Sequence, residues 1–318
     1  MNVWIWFVAA AATALSAALF ARLAPRVGWL DRATPETAHR KLQDRPIAPV
    51  GGAAILVGTL TLAALGTPEA DLTIVVATLG LPSVVWSVWP AAGLAFVLGL
   101  VDDLLRRGLD WRLKLLGQAS VAFVFVEPLI GAEGAGYGFP MVLAVVVVLA
   151  QNAWNTFDNA DGVATSVGAV ALAPVAPPLA AALLGFLPHN LKWGRGRAHA
   201  CLGDAGSHLI GVMIVAHPAA WPALVLPLVD LARLSVVRLR AGSRPWIGDR
   251  RHLAHRLQRT GMGSLSVAVV LVLIALPATA LGTQTGPSMV GIALTLFLYA
   301  SALFMTSTAV LPSVATRQ

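Results

Sequence analysis

Four oxygen-bearing side chains recur at every third position where a long apolar run gives out: Asn152, Asn155, Asp158 and Asp161 follow the stretch 139–150. On a helix each step of three drifts by about 60°, so neighbouring members share a face. Carboxylates and carboxamides are hard oxygen ligands suited to Mg²⁺ or Mn²⁺, and a diphosphate brings further oxygens to the same ion. A polar helix end capped by Asn and Asp is the plain alternative. Ionisable groups at membrane depth default to function, which favours the metal reading.

Other stretches carry compatible chemistry. Asp102 and Asp103 are adjacent carboxylates that repel each other, so a cation or a shared proton is expected beside them. One could bind metal and the other accept a proton; Arg106 and Arg107 could equally balance a hydrated helix end. Lys114 begins the next apolar segment, where it could neutralise the acid pair, hold a phosphate or serve as a positive flank. Gly203-Asp204-Ala205-Gly206-Ser207 opens another segment. Small residues there let a ligand approach the backbone, free N–H groups at a helix start attract phosphate, and Asp204 could meet a metal or act as an ordinary cap. Arg250, Arg251, His252, His255 and Arg256 form a cationic patch apt for a diphosphate, or a solvated basic loop near anionic lipid. Arg40 and Lys41 precede Pro49-Val50-Gly51-Gly52, a basic approach to an apolar segment that could guide an anionic headgroup.

The elements that must position these groups are apolar. Of the 318 residues, 57% are hydrophobic and 12% charged. A soluble domain carries about 25% charged residues. The composition therefore predicts a polytopic membrane protein. A net charge of +7 would suggest nucleic acid in a soluble protein. Here the basic residues lie between apolar segments, so topology and phosphate-bearing substrates explain them better and no nucleic-acid partner is expected. The single cysteine, Cys201, excludes an intrachain disulfide and a cysteine-based metal cluster. The first apolar segment lacks a basic n-region and a cleavage site, and reads as a retained span.

A span needs about 20 apolar residues. Candidates lie near 3–21, 48–65, 80–101, 113–130, 139–155, 162–175, 176–188, 205–219, 220–238, 264–282 and 289–311. The expected fold is thus an all-α membrane bundle of about eleven spans, with the stretch before Pro82 as a surface or tilted extension. All 22 lysines and arginines fall in 22–45, 106–114, 192–197, 233–259 and at Arg317, and none in the alternate connections. Positive-inside orientation then puts the N-terminus outside and the C-terminus and basic loops in the cytoplasm. Asp102, Asp103, Asp158, Asp161, Asp204 and Asp249 all come to that cytoplasmic face from separate regions of the chain.

Taken together, these stretches resemble the polyprenyl-phosphate N-acetylhexosamine-1-phosphate transferase family. The matches run in the family's order over roughly residues 35–260: Arg40-Lys41 with Pro49 to Gly52, Gly99 to Asp103, Lys114, Asn152 to Gly162, Gly203 to Ser207, and Asp249 to Arg256. The resemblance implies one integral-membrane domain with a cytoplasmic site and a Mg²⁺ ion, Mn²⁺ being the other candidate. Carried over by position, Asn155 and Asp204 are expected metal ligands, and Asp102 and Asp103 the acidic pair serving the acceptor phosphate. Lys114 is an expected phosphate contact, Asp158 and Asp161 shape the nucleotide-sugar pocket, and Arg250, Arg251 and His252 hold the diphosphate. Lys41, Asn152 and His255 join the substrate-binding set.

Two departures stand out: Asn159 where a glycine is common, and Ala254 where a histidine often stands. The chain looks closer to the GlcNAc-type branch than to the translocase branch. The implied reaction transfers a sugar 1-phosphate, N-acetylhexosamine 1-phosphate by this resemblance, from a UDP-amino sugar to undecaprenyl phosphate at the cytoplasmic membrane face. It leaves the acceptor's tail in the lipid bilayer and releases UMP, for cell-envelope glycan synthesis. The reading leaves room for a homodimer. The rival expectations are a secondary transporter of an anionic solute and a non-catalytic member of the family.

Overall fold

The computed structural model describes residues 3–32, 46–65, 73–75, 85–105, 107–130, 136–192, 198–281 and 288–308. Among them lie twelve α-helices: α1 (Trp4–Val27), α2 (Gly51–Ala64), α3 (Trp89–Leu104), α4 (Trp111–Val126), α5 (Gly138–Phe157), α6 (Val163–Leu172), α7 (Pro177–Asn190), α8 (Gly203–Ala216), α9 (Val225–Arg240), α10 (Leu253–Arg259), α11 (Ser264–Ala280) and α12 (Met289–Thr308). Each expected apolar segment overlaps one of these helices, and α10 lies in the basic loop between α9 and α11.

Four helical stretches are long and apolar enough to cross a membrane: Trp4–Val27, Gly138–Phe157, Pro218–Arg240 and Met289–Ser307. The outward faces agree with lipid as the solvent. Leu15, Val142, Phe297 and Phe304 are 72%, 63%, 66% and 71% exposed. Large apolar side chains exposed to this degree on several helices are unfavourable in water and ordinary in a bilayer.

Around 80–101 the structure departs from expectation. The helix starts only at Trp89, with Pro90 in its first turn. Proline suits that position because it has no N–H to leave unsatisfied. Upstream, β1 (Thr73–Val75) pairs antiparallel with β2 (Val85–Ser87), Ile74 opposite Trp86. The β-branched and aromatic residues there favour strand over an extended helix.

Helix α8 is the axis of the bundle. Every residue from Ala205 to Ala216 is buried, and α2, α3 and α5 all pack on it. Glycines permit the approach. A Cβ at Gly99 of α3 would strike the backbone of Asp204 and Ala205, and one at Gly52 of α2 would strike Gly206 N. The N–H groups of Gly51 and Gly52, which begin α2 and have no partner within it, donate to Cys201 O at 3.1 Å and Leu202 O at 3.0 Å. The starts of α2 and α8 are thereby stitched side by side.

Candidate active site

Helices α3 and α5 end, and α4 and α8 begin, at one end of the bundle, and their polar residues meet there. Asp110 caps α4 by accepting from Arg112 N at 2.9 Å, which starts that helix three residues before Lys114. Lys114 Nζ lies 2.7 Å from Asp102 Oδ2 and 3.4 Å from Asn155 Oδ1, and it pairs with Asp204 Oδ2. Asn155 Nδ2 donates to Asp204 Oδ1 at 2.8 Å and to Ser207 Oγ at 3.0 Å. Four helices thus deliver one cation, two carboxylates and one amide to a single point. Low local dielectric makes the ion pairs strong and makes leaving any member unpaired costly.

Among the described residues the acid doublet shares no cation. Asp102 turns to Lys114 and to the amide of Leu109, reached through the turn at Gly108, whose φ is +70°. Asp103 turns the other way and caps α8, accepting from Asp204 N at 2.9 Å and Ala205 N at 3.0 Å. Successive residues on a helix point about 100° apart, so adjacent carboxylates on α3 separate. The cap of α8 therefore comes from another helix, and not from Asp204 as an ordinary cap would. Gly203, at φ +74°, leaves the space that Asp103 occupies.

The three-residue polar run also divides. Helix α5 stops at Phe157, so Asn152 and Asn155 are helical, while Asp158 and Asp161 lie in the 158–162 turn. Gly162 ends that turn at φ +78°, its N–H held by Asn190 Oδ1 at 3.1 Å. Asn152 is turned toward α4, donating to Gln118 Oε1 at 2.7 Å and to Val148 O at 2.9 Å. The shared wall expected over four residues is a helical pair followed by a loop pair. Burial, then the charges of Asp204 and Asp161, push the Asp158 carboxyl well above the usual range. Burial also raises Asp161, against the opposing pull of Lys192 and Ser264.

The basic loop is partly spent on its own structure. Arg238 Nε lies 3.1 Å from Asp249 Oδ2, and Arg251 Nε lies 3.7 Å from the same oxygen. Burial would raise Asp249, but Arg238 and the Arg251 amide hold it below the ordinary carboxylate value. Arg256 donates to Leu303 O at 2.9 Å, tying the loop to α12. Trp246 stacks on Trp111 with ring centroids 4.7 Å apart, tying it also to the start of α4. His255 is buried, its pKa lowered chiefly by that burial, and bonds Gln258 at 3.1 Å. His252 meets the 158–162 turn: its Nδ1 is 2.9 Å from Asn159 Nδ2. The two motifs are therefore neighbours. Lys41 lies outside the described residues.

Among the described residues no group of three or more His, Cys, Asp or Glu side chains is placed to hold a metal. The acid and amide set at Lys114 has only two carboxylates.

Residues 85–177 match the family described as glycosyl transferase family 4. The decaprenyl-phosphate N-acetylglucosaminephosphotransferase of Mycolicibacterium smegmatis is 30% identical, over 70% of this chain and 68% of that protein. The chain belongs to glycosyl transferase family 4. Its Mycobacterium tuberculosis relative of the same description is 28% identical, over 79% of this chain and 74% of that one. The undecaprenyl-phosphate alpha-N-acetylglucosaminyl 1-phosphate transferase of Escherichia coli K12 is 27% identical, over 80% and 76%.

For this family 4 chain, the motifs missed one cluster. Asp230 and Tyr299, both buried, and the half-buried Arg233 form a polar group against His252. A signal was present: Leu226, Asp230, Leu234 and Arg238 recur every four residues and are all buried, marking the inward face of α9. An acid on that face demands a partner.

Proposed function

We propose that this chain transfers N-acetylglucosamine 1-phosphate, or a close N-acetylhexosamine 1-phosphate, from a UDP-sugar to a polyprenyl phosphate at the cytoplasmic membrane face. The observation that carries the reading is the meeting of Asp102, Asn155 and Asp204 on Lys114 Nζ. The names of three family relatives support the acceptor and the sugar. An oxygen of the lipid phosphate attacks the β-phosphorus of the donor. The new P–O bond forms as the bond from that phosphorus to the bridging oxygen breaks, and UMP leaves with that oxygen.

Phosphoryl transfer depends mainly on positioning and charge neutralisation, since a phosphate oxyanion is already nucleophilic. Lys114 neutralises the incoming phosphates, and Asp102 fixes Lys114. Asp103 acts by holding the first turn of α8, and with it Asp204. Asp158 and Asp161 shape the donor pocket, next to which His252, with Arg250 and Arg251, meets the diphosphate. Lys41, Asn152 and His255 complete the substrate-binding set of this reading.

Asn155 and Asp204 would hold Mg²⁺, or Mn²⁺. Their hard oxygens fit such an ion, and in this structure they already converge on a positive charge, the Lys114 ammonium. When bound, the ion would supply charge neutralisation to the diphosphate.

The topology belongs to the same reading: α10 lies in the cytoplasmic loop and the other eleven helices span, with the N-terminus outside. The site residues sit at helix ends and not at mid-span. That favours a lipid-and-water reaction over transport, whose sites lie near the midplane.

The test is purified protein with undecaprenyl phosphate, Mg²⁺ and a panel of UDP-sugars, reading UMP release and the mass of the lipid product. A polyprenyl-diphosphate sugar is expected, and Asp204→Asn is expected to lower turnover by about 100-fold. Turnover of Asp204→Asn at the wild-type rate, or no product from any UDP-sugar, would overturn the reading.

A further inference from the structure

Asp230 lies on the inward stripe of α9 and is 2% exposed. Its Oδ1 accepts from Tyr299 Oη at 2.6 Å and from Arg233 Nη2 at 2.9 Å. Its Oδ2 lies 3.1 Å from His252 Nδ1. Arg233 also donates to Tyr299 Oη at 2.7 Å and to Arg251 O at 2.7 Å, so α9 grips both the ring of His252 and the backbone just before it. His252 itself is 4% exposed.

The ring has a second neighbour at the same nitrogen, Asn159 Nδ2, and the chemistry decides between them. Asn159 Nδ2 has two hydrogens and two carbonyls to receive them, Thr156 O at 3.0 Å and Phe157 O at 3.2 Å. Asp230 has no hydrogen to offer and two donors already on Oδ1, so its Oδ2 needs one from the ring. A charge-assisted bond to a carboxylate outweighs a neutral one to an amide. Nδ1–H therefore belongs to Asp230, and Nε2 is the nitrogen left for a ligand.

We propose that Asp230 is a positioning residue: it holds Nδ1–H of His252, orients the ring, and is the counter-ion of the imidazolium whose Nε2–H donates to a phosphate oxygen of the donor. The proposal rests on the transferase reading of the site. Asp230 does not touch substrate; it acts through His252, and Tyr299 and Arg233 hold it in place. Charge balance follows: a ring that donates from Nε2 as well as Nδ1 is a cation, and Asp230 is its counter-ion.

The network also predicts how a substitution acts. In Asp230→Asn, Tyr299 and Arg233 both need an acceptor at the Oδ1 place, so the amide nitrogen must face His252. It would donate to Nδ1, which holds the ring neutral with its one proton on Nε2 and removes the positive charge offered to the diphosphate. The expected result is a rise of about tenfold in KM for the UDP-sugar, with KM for the polyprenyl phosphate unchanged. On a His252→Ala background the same substitution adds no further loss. Tyr299→Phe removes another hydrogen bond from the same carboxylate but leaves the one to His252. It is expected to lower Tm yet keep the UDP-sugar KM.

An active Asp230→Asn enzyme with wild-type KM, or losses that add fully with His252→Ala, would overturn the proposal. A readout independent of turnover is ¹⁵N NMR of histidine-labelled protein, the His252 signal being identified by its loss in His252→Ala. Nδ1 is expected protonated in the wild type and unprotonated in Asp230→Asn; an unchanged Nδ1 signal would overturn the proposal. Should the wild type release UMP from no UDP-sugar, the transfer reading fails, while the tautomer result still decides what Asp230 does to the ring.

Discussion

Asp103 Oδ1 accepts the backbone N–H of Asp204 at 2.9 Å, so an acid at the end of α3 caps the first turn of α8. That bond fixes the carboxylate which pairs with Lys114, because Asp204 belongs to the turn being capped. Replacing a cap acceptor costs about 1 kcal/mol. Asp103→Asn is expected to lower Tm and to reduce UMP release, whereas Asp103→Ala should lose more of both. Thermal melts and turnover measured on the same preparations check this. Undiminished stability in Asp103→Ala would show that the cap has no such role.

Lys114 has the converse task of keeping two carboxylates together. Lys114→Met leaves Asp102 and Asp204 facing each other without their cation. Breaking a partly buried pair in this way costs about 3 kcal/mol. If hard oxygens converge there as proposed, millimolar Mg²⁺ should restore part of the lost Tm in Lys114→Met and raise the wild type less. A melt series with Mg²⁺ and with Na⁺ at matched ionic strength separates site binding from screening.

Gly99 tests the packing link on its own. A Cβ there meets the backbone of Asp204 and Ala205, which has no rotamer with which to yield. Overpacking of this kind costs about 2 kcal/mol. Gly99→Ala is expected to displace the start of α8 and to reduce turnover although it adds no charge and removes no polar group. Gly93→Ala, on the same helix with open space around its added Cβ, is the matched control.

The 158–162 turn carries a pH signature. Burial raises the Asp161 carboxyl above its ordinary value of 3.8. The folded chain therefore holds this proton more tightly than the unfolded chain does. Stability from Asp161 is greatest below that value and is lost as pH rises from it through the raised folded-state value. Melts of wild type and Asp161→Asn across that range should converge at low pH and diverge as pH rises, with Asp161→Asn the more stable. Parallel curves would contradict the shift.

Much was legible in the chain itself. The apolar segments located eleven of the twelve helices among the described residues, because a lipid solvent demands apolar runs, although α3 begins at Trp89 and not at the start of its segment. The members of the candidate cluster were legible too, since Asp102, Lys114, Asn155 and Asp204 all stand in short polar motifs at segment ends. What spacing could not supply was direction. Asp102 and Asp103 are one residue apart, yet one holds Lys114 and the other the start of α8. Asn152 and Asp158 are polar at the same period, yet one faces α4 and the other lies in a turn.

Asp230 shows the same divide most plainly. Its place on the inward stripe of α9 could be read from a four-residue period, but its partners come from 22 and 69 residues away in the chain. Local pattern encodes which face of a helix is buried, because side-chain direction repeats with the helical turn. Which carboxylate meets which cation is set by how the helices cross, and that depends on the glycine contacts at Gly52 and Gly99 that let α2 and α3 reach α8. The chemistry of this protein was therefore written in its residue types, while the pairing of those residues was decided by close packing between distant segments.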